Sequence, residues 1–568
     1  MIDRRHFLGA AVGIGLNAHG AIASATTPGL SWPIPGMLKT HGALANANGT
    51  HPVFTADVRD YGARLDHMTD DTAALDAACA KAGSVLLPAQ HIAAIMGVVG
   101  LPSGTALYGT PTSGGFVLRR SDAFIALNAN TSLMSIRVQS RDAKNAVVIA
   151  ANSSDVLTVF LHIDSQAEHA GNGIFCSAPG CGDHRHLAST IRTTGYGILY
   201  DRMAGGMKNL LIDSADIISA NADAIAINSP EPGVRGRITG VTITNSILAA
   251  LSSGQQPEAG FGISIAHAAN ITIANTVVTE SRKAAVHIED ASQRCTINGV
   301  VADNCQGNGI ECLVGYASTD GDGSAAGIIG CQLHAPQRVA GTAGVWLSFD
   351  RYGSYDEAPI TANVISGFES GLFLAGNNTV HAVDGNTLRH CTYGLRIAGP
   401  NVVVSGTNVA DGVDYLVRAS GTEAFAIRVG SFICKTKPRS GIVLRDHPSS
   451  MPAVTLEGFA WPDTMNVDGQ PSTQWHTLFS APQAMDGRLR VTIGEGGAEP
   501  RQCVDFGSHI YWDGNALHLS ESHCIVEQPI KQGSILVKVE GDAVKLGFIC
   551  EAPRVFWSQI SFSGHYSA

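Results

Sequence analysis

The sequence contains few charged and few aromatic side chains. Asp, Glu, Lys and Arg account for 15% of the 568 residues, and Phe, Trp and Tyr for 6%. The 37 Lys and Arg against 48 Asp and Glu give a formal net charge of −11 at pH 7, and the basic residues form no run. Nucleic acids and anionic membrane surfaces attract clustered basic side chains. Neither is therefore an expected partner.

Long apolar runs and metal-binding spacings are missing as well. A membrane-spanning helix needs about 20 apolar residues in succession, and none is expected here. The 12 cysteines include no Cys-x-x-Cys pair, so no metal or cofactor is expected. Cys176 with Cys181, and Cys503 with Cys524, could form disulfides outside the cytoplasm. The following cysteines alternate with small apolar residues and are predicted to pack in a core: Cys295, Cys305, Cys312, Cys331 and Cys391.

The first 25 residues have the layout of an export signal. Arg4 and Arg5 precede Phe7 and Leu8, and a short apolar stretch leads to a small-residue site at Ala23-Ser24-Ala25. This resembles the twin-arginine signal, which implies a protein folded before export and located in the periplasm or outside the cell. A basic start to a cytoplasmic chain is the alternative. Residues 26–55, rich in Pro, Gly, Ala and Asn, predict an extended arm.

A strand–turn–helix–strand unit is predicted directly after this arm. Asp70 and Asp71 are predicted to supply the N-cap and first-turn acids of the helix, and Gly83 to end it. Its apolar stripe consists of Ala74, Leu75, Ala78 and Cys79.

This unit resembles the N-terminal cap of the pectate-lyase/polygalacturonase-type, or pectin lyase-like, β-helix superfamily. The resemblance rests on Asp60-Tyr61-Gly62-Ala63, then Thr69–Leu75, then a strand ending at Leu87-Pro88. It covers about 35 residues and implies a right-handed parallel β-helix whose open end is covered by the helix.

A repeat follows the cap. A small residue followed by alternating aliphatic ones recurs with gaps of 24, 27, 38, 23, 24, 35, 27 and 23 residues, from Gly173-Ile174 to Gly394-Leu395. The period-two alternation predicts strands rather than helices. The sequence thus predicts one β-helix over residues 56–430. In the longer gaps, inserted loops are expected to shape a binding face.

A change of pattern near residue 430 predicts a separate antiparallel β domain over residues 431–568. Short strands with turns are predicted around Arg488–Ile493, Ile510–Trp512, Ser534–Val539 and Val555–Trp557. The region resembles in style the C-terminal modules of phage-type polysaccharide depolymerases. Because such depolymerases are often trimers, the resemblance implies a homotrimer as one possible assembly.

Aligning the repeats on the small residue places one outward-facing position per coil. That column is predicted to face solvent and reads Ala226, Ser264, His287, Glu311, Trp346, Phe373 and Arg396. Glu289 follows on the same face as His287. Two acids beside an exposed aromatic residue are typical of a sugar-cleaving groove, so Glu289 and Glu311 are candidate catalytic residues, His287 assists, and Trp346 and Ser264 bind substrate. The alternative is an ordinary polar face of a sheet.

Other candidates lie beside this column. Asp350 and Arg351, at the mouth of an inserted loop, are a candidate catalytic acid and a candidate substrate contact, or else a surface ion pair. In a lyase, Arg282 and Lys283 could bind a uronate or remove its proton, although a solvated turn would contain the same residues. A lyase could also use calcium, for which the acidic turn Asp320–Gly323 is a candidate.

The polygalacturonase motifs are mostly absent. Asn221-Ala222-Asp223-Ala224 partly matches the first motif, so Asp223 is carried over as a candidate catalytic residue. Gly260-Phe261-Gly262 has Phe where that family has His, and the double Asp and the Arg-x-Lys are missing. Ordinary polygalacturonase chemistry is therefore not expected.

Two functions remain open. The first is an exported polysaccharide-active enzyme, with a glycoside hydrolase preferred over a polysaccharide lyase. The second is a non-catalytic carbohydrate-binding or envelope-structural protein, because the signal and repeats also resemble a family of exported bacterial repeat proteins without an assigned activity.

Overall fold

Three strands per coil build a parallel β-helix. The computed structural model describes residues 56–109, 114–166, 171–201, 207–228, 238–251, 258–290, 292–314, 326–349, 358–376, 380–399, 402–420, 426–436, 438 and 440–445, and then the backbone of further strands between 453 and 566. The predicted signal and arm lie outside these ranges. Among the described residues, no helix is long and apolar enough to cross a membrane.

The first sheet contains one strand from each of 14 successive coils, paired in parallel and in chain order. Its strands are Val98–Leu101, Phe124–Leu127, Asn145–Ile149, Asn172–Cys176, Ile198–Tyr200, Ile225–Asn228, Ile263–Ala266, Val286–Asp290, Ile310–Val314, Ala343–Phe349, Ser370–Ala375, Tyr393–Ala398, Tyr415–Ser420 and Ser440–Arg445.

The other two faces are parallel ladders that merge at strand Val403–Asp411. One ladder consists of Ala56–Asp57, Ser84–Leu86, Ala106–Tyr108, Ser132–Met134, Leu157–Val159, Gly182–Leu187, Lys208–Asp213, Ile238–Thr244, Ala268–Ala274, Gln293–Asn298, Ala326–Ile329, Ala358–Thr361 and Val380–Asp384. The other consists of Asp66–Asp70, Ile92–Ile95, Gly115–Leu118, Arg137–Ser140, His162–Ser165, Thr190–Thr193, Asp216–Ser219, Ile247–Ala250, Val277–Ser281, Val301–Ala302, Gln332–His334, Val364–Ser366 and Thr387–Arg389.

Antiparallel strands follow the solenoid. Parallel pairing continues from Val403–Asp411 through Ala426–Cys434 to Ala453–Val467, which pairs antiparallel with Arg554–Tyr566. The other antiparallel strands are Gln474–Ser480, Met485–Glu495, Arg501–Trp512, Leu517–Val526, Ile535–Glu540 and Ala543–Phe548. The antiparallel character matches the expectation, whereas the predicted domain division near residue 430 stays a prediction.

The helix α1, Thr72–Lys81, lies over the first edge strand of the solenoid. Its Asp76 carboxylate accepts a hydrogen bond from the backbone N–H of Gly100 at 2.9 Å, which satisfies a donor on that edge. Asp71 is the N-cap residue, as predicted, but its buried carboxylate accepts from the N–H groups of Arg64 and Leu65 and makes no capping bond. Asp70, one residue earlier, accepts from the N–H of Thr72 at 3.0 Å instead. The prediction of acids in the first turn was wrong, because both aspartates precede the helix. A 3-10 turn, Val58–Tyr61, precedes the helix.

The repeat analysis correctly identified the inward positions. Ile263, Ile265, Val286, Ile288 and their equivalents are fully buried, and each predicted repeat start begins a strand of the first sheet. The five cysteines predicted to be in the core are buried free thiols. Cys176 and Cys181 are free thiols too, with sulfurs 3.8 Å apart, so the disulfide suggested for them is not formed. The side chains of Cys503 and Cys524 lie outside the described part of the chain.

A polar cluster lies within the apolar interior. The hydroxyl of Tyr200 lies 2.9 Å from His184 Nδ1 and 2.8 Å from His186 Nε2. Because His184 Nε2 lies 2.9 Å from the carbonyl of Ser153, it must donate there, and its Nδ1 accepts from Tyr200. The Tyr200 oxygen then accepts from His186 Nε2, and His186 Nδ1 accepts from Thr158 at 2.9 Å. Both histidines are neutral in this order, since burial lowers the pKa of His184 and lowers that of His186 to about 3.

Candidate active site

One column of side chains runs along the outer face of the first sheet, in the register predicted. Consecutive strands pair Ser264 with His287, His287 with Glu311, Glu311 with Trp346, and Trp346 with Phe373. The column continues through Arg396 to Arg418. Neighbouring strands lie about 4.8 Å apart. Contiguous members of the column are therefore within contact distance of each other.

His287 lies between two carboxylates. Its Nε2 is 3.0 Å from Glu289 Oε2, and its Nδ1 is 3.2 Å from Glu311 Oε2. Burial acts to lower the pKa of His287, but the two carboxylate hydrogen bonds outweigh burial and raise it to about 9. At neutral pH the imidazole is therefore an imidazolium that donates one N–H to each glutamate. We call these three residues the His287 cluster.

An aromatic ring covers the exposed face of this imidazolium. Phe261 stacks on His287 with ring centroids 4.3 Å apart and an interplanar angle of 18°. Lys283 Nζ lies 5.1 Å from the centroid of Phe261 and also forms an ion pair with Glu258 at 3.2 Å. The ring of Phe261 thus lies beside two cations, His287 and Lys283, and the π-electrons of an aromatic ring attract cations.

Asp223 holds the segment that carries Phe261. Its Oδ1 accepts hydrogen bonds from the backbone N–H groups of Gly260 at 2.7 Å and Phe261 at 2.9 Å. Gly260 has a φ of +115°, and a Cβ there would lie 2.9 Å from the Cβ of Arg282, so this position requires glycine. Burial raises the pKa of Asp223 to about 6, against those two hydrogen bonds and the charges of His287 and Lys283. Asp223 and Arg282 therefore position the loop over the His287 cluster.

A stack of aromatic rings and guanidinium groups follows the cluster along the column. The rings of Trp346 and Phe373 stack with centroids 5.3 Å apart, and the guanidinium carbon of Arg396 lies 4.2 Å from the centroid of Phe373. One coil further, the guanidinium carbon of Arg418 lies 5.0 Å from the ring centroid of Tyr393. Within the described part of the chain, the indole N–H of Trp346 is buried without a hydrogen-bond partner.

The expectation that the whole column faces solvent was wrong for its first half. Ala226, Ser264, His287 and Glu311 are between 1% and 8% exposed. For His287 the covering group is the stacked ring of Phe261. Glu289 is the accessible acid, with a side chain 39% exposed against 11% for Glu311. Trp346, Phe373, Arg396 and Arg418 are half-buried.

The structure brings together some of the predicted site residues. Glu289, Glu311 and His287 form one cluster, Ser264 lies one strand before His287 and Trp346 one strand after Glu311. Lys283 and Asp223 reach the cluster through Phe261. Arg282 lies against Gly260. Asp350, Arg351 and the Asp320–Gly323 turn are outside the described residues. Among those described, no group of three or more His, Cys, Asp or Glu side chains could hold a metal ion.

Sequence reasoning missed Phe261 and Arg418. Phe261 was noted only as a departure from a polygalacturonase motif, whereas its ring is the contact that covers His287. Extending the column by one coil would have found Arg418. The repeat was not followed that far because Leu416 occupies the position where earlier coils have a small residue.

Comparison with known proteins identifies the class of fold. The family model for the right handed beta helix region matches residues 187–321, which include the strands of the His287 cluster. The parallel β-helix is thus right-handed, as predicted from the cap. No curated protein matches the sequence.

Solved structures with a similar fold come from several organisms. Tailspike protein 3 of bacteriophage CBA120 aligns over 70% of this chain and 61% of its own, with 12% identity and a TM-score of 0.45. The A-module of the Azotobacter vinelandii mannuronan C-5 epimerase AlgE6 aligns over 71% and 97%, with 15% identity and a TM-score of 0.34. An alpha-1,3-glucanase from Streptomyces thermodiastaticus aligns over 73% and 69%, with 14% identity and a TM-score of 0.33.

Proposed function

We propose that this protein is an exported polysaccharide-active enzyme that cleaves glycosidic bonds by hydrolysis. The observation that carries the proposal is the position of His287, which is charged and lies between Glu289 and Glu311. Glu311 lies one strand from the aromatic ring of Trp346. Glycoside hydrolysis commonly uses a pair of carboxyl groups, and an aromatic ring offers a surface on which a sugar ring can pack. Export rests on the twin-arginine pattern at Arg4 and Arg5.

The unequal exposure of the two glutamates separates their roles. Glu289 reaches solvent and takes a proton from the attacking water, while the buried Glu311 delivers a proton to the leaving glycosidic oxygen. That proton comes from His287 Nδ1 through the 3.2 Å hydrogen bond to Glu311 Oε2. The attacking water forms the new bond to the anomeric carbon as the bond to the leaving oxygen breaks.

The imidazole sets the distance between the acid and the base. Glu289 and Glu311 bind opposite nitrogens of one ring, so two hydrogen bonds and the ring width separate their Oε2 atoms by roughly 7–8 Å. Inverting hydrolases place their carboxyl groups ~6.5–9.5 Å apart and retaining ones ~5–5.5 Å apart. The separation of the two carboxylates therefore favours inversion.

The contacts of the basic residues favour a hydrolase over a lyase. Lys283 donates to the carbonyl of Glu258 at 2.8 Å and pairs with its carboxylate, and Arg282 lies against Gly260. Neither is placed as an unencumbered base near Trp346, as proton removal from a uronate would require.

A non-catalytic carbohydrate-binding or envelope-structural protein is the second candidate. The observation in its favour is that His287 occupies an oxygen of each glutamate, which would also make a rigid ion-paired surface. A homotrimer that binds polysaccharide is compatible with both candidates.

The first test is to incubate the purified mature protein with a panel of bacterial and plant polysaccharides and follow reducing ends together with absorbance near 235 nm, where unsaturated uronates absorb. Hydrolysis predicts reducing ends without absorbance. A joint rise of both signals would replace the hydrolase with a lyase, and silence on every substrate would favour the non-catalytic candidate.

A further inference from the structure

Two thiols lie side by side at one corner of the solenoid. Cys176 is the last residue of strand Asn172–Cys176, and Cys181 follows after the turn Ser177–Gly180. Their sulfurs are 3.8 Å apart, and Cys176 Sγ is the donor towards Cys181 Sγ. A disulfide bond holds two sulfurs about 2.05 Å apart. A shift of less than about 2 Å would therefore bring this pair to bonding distance.

The two thiols differ in acidity. The S–H of Cys176 and the backbone N–H groups of Ser153 and Asn152 donate to the sulfur of Cys181, and they lower the pKa of Cys181 in spite of its burial. The same S–H···S bond, together with burial, raises the pKa of Cys176. When protonated, Cys181 donates to the carbonyl of Ala178 at 3.4 Å. Cys181 therefore carries the larger share of thiolate, which is the reactive form of cysteine.

The pair also differs from the other cysteines of the interior. Three of the four residues in the turn Ser177–Gly180 are exposed, and Cys181, which follows the turn, is 5% exposed, whereas Cys176 is fully buried. A small reagent therefore reaches Cys181 first. In the apolar core, burial raises the pKa of Cys331 to about 11 and that of Cys391 to about 12, so both stay unreactive thiols.

We infer that Cys176 and Cys181 form a thiol–disulfide exchange site, in which Cys181 attacks a low-molecular-weight disulfide and Cys176 completes the exchange. In the first step the Cys181 thiolate bonds to one sulfur of the reagent, the S–S bond of the reagent breaks, and its other sulfur leaves and takes up the proton that Cys181 lost. In the second step Cys176 gives up its proton and its sulfur bonds to that of Cys181. The second reagent sulfur leaves with that proton.

The electrons and protons of the two steps balance. The protein dithiol loses two electrons and two protons, and the reagent disulfide is reduced to two thiols. The reaction needs no polysaccharide and does not depend on the proposed hydrolysis. Because the folded protein stabilises the thiolate of Cys181, and because a bond to Cys176 closes only a short loop, we expect the bond to be reversible. A chain that is folded before export would carry the thiols reduced and meet an oxidant afterwards.

The test uses the purified, reduced protein with hydroxyethyl disulfide as the reagent. The remaining thiols are then alkylated in denaturant, and the cysteine-containing peptides are identified by mass spectrometry. We expect a bond between Cys176 and Cys181 that dithiothreitol reverses in the folded protein, while Cys331 stays free. In a second measurement, iodoacetamide should alkylate Cys181 of the folded protein at pH 7 about tenfold or more faster than Cys331.

Single substitutions separate the two roles. C176S should stop after the first step, so that the reagent stays attached to Cys181 as a mixed disulfide. C181S should leave Cys176 unmodified. The matched control is C331S, which removes a fully buried thiol that contacts a backbone carbonyl and should leave the exchange unchanged. Thermal unfolding checks that each variant is folded, and the two measurements on the wild type need no variant.

Four results would each overturn the assignment of this site. They are no reaction of Cys181 with the reagent, alkylation of Cys331 as fast as Cys181, a mixed disulfide on Cys176 in C181S, and a bond that dithiothreitol reduces only after unfolding. None of these results bears on the hydrolase, whose failure would be silence on every polysaccharide.

Discussion

Two clusters of this protein contain histidines buried to a similar degree, yet the histidines of one are neutral and the histidine of the other is positively charged. His186, inside the solenoid, is fully buried among Tyr200, His184 and Thr158, and burial lowers its pKa to about 3. His287, on the outer face, is 5% exposed, yet its pKa rises to about 9. Burial acts in the same direction on both histidines, so the carboxylates of Glu289 and Glu311 cause the difference.

The comparison separates a structural cluster from a chemical one. The interior hydrogen bonds join neutral partners, so they fix the packing of one coil and contain no cationic acid. The outer cluster holds a proton on a buried cation beside two bases, which is a reactive arrangement.

Breaking the interior cluster should have the largest effect. In Y200F, His186 Nε2 loses its acceptor and His184 Nδ1 its donor, which leaves two buried groups unsatisfied. We expect a loss of about 2–6 kcal/mol in the free energy of unfolding, measured with denaturant. Y61F removes a hydroxyl at the partly buried cap and should cost less than about 0.5 kcal/mol. Equal effects of the two substitutions would show that the interior network contributes nothing of its own.

The two clusters should also respond to opposite ends of the pH range. Below pH 6.5, His186 binds a proton in the unfolded state but stays neutral in the folded state, because its folded pKa is about 3. The free energy of unfolding should therefore fall by about 2 kcal/mol by pH 5. His287 contributes stability below pH 6.5 that is lost as pH rises through about 9, in total about 3 kcal/mol. Unfolding free energies between pH 5 and pH 10 measure both.

Comparison with single variants separates the acidic change in stability from the alkaline one. The difference in unfolding free energy between the wild type and H186Q should shrink from pH 7 to pH 5. The difference between the wild type and E311Q should shrink from pH 7 to pH 10. Each difference cancels titrations common to both proteins, including that of Asp223, whose raised pKa makes stability fall as pH rises from 3.8 to about 6. If E311Q loses as much stability between pH 7 and pH 10 as the wild type does, His287 is not held as an ion pair with Glu311.

The sequence was sufficient to predict the periodic features of this molecule. Alternation of apolar residues gave the inward positions and the register of the outer column, because each strand repeats the same requirement for burial. It could not show that Phe261 covers His287, since that contact depends on the path of a connecting loop held by Asp223. Nor did the sequence indicate the interior cluster. His184 and His186 occupy alternating positions that are buried in the strand, but histidine is a residue type expected on a polar surface.

The measurement that tests the central claim most directly is the rate of reducing-end release by the E289Q/E311Q double variant on a polysaccharide that the wild type cleaves. We expect a loss of about 100-fold or more, as for removal of an acid and a base. The control D122N, which alters an exposed carboxylate of a surface ion pair, should retain the wild-type rate. Full activity of the double variant would contradict the account and place the chemistry elsewhere in the molecule.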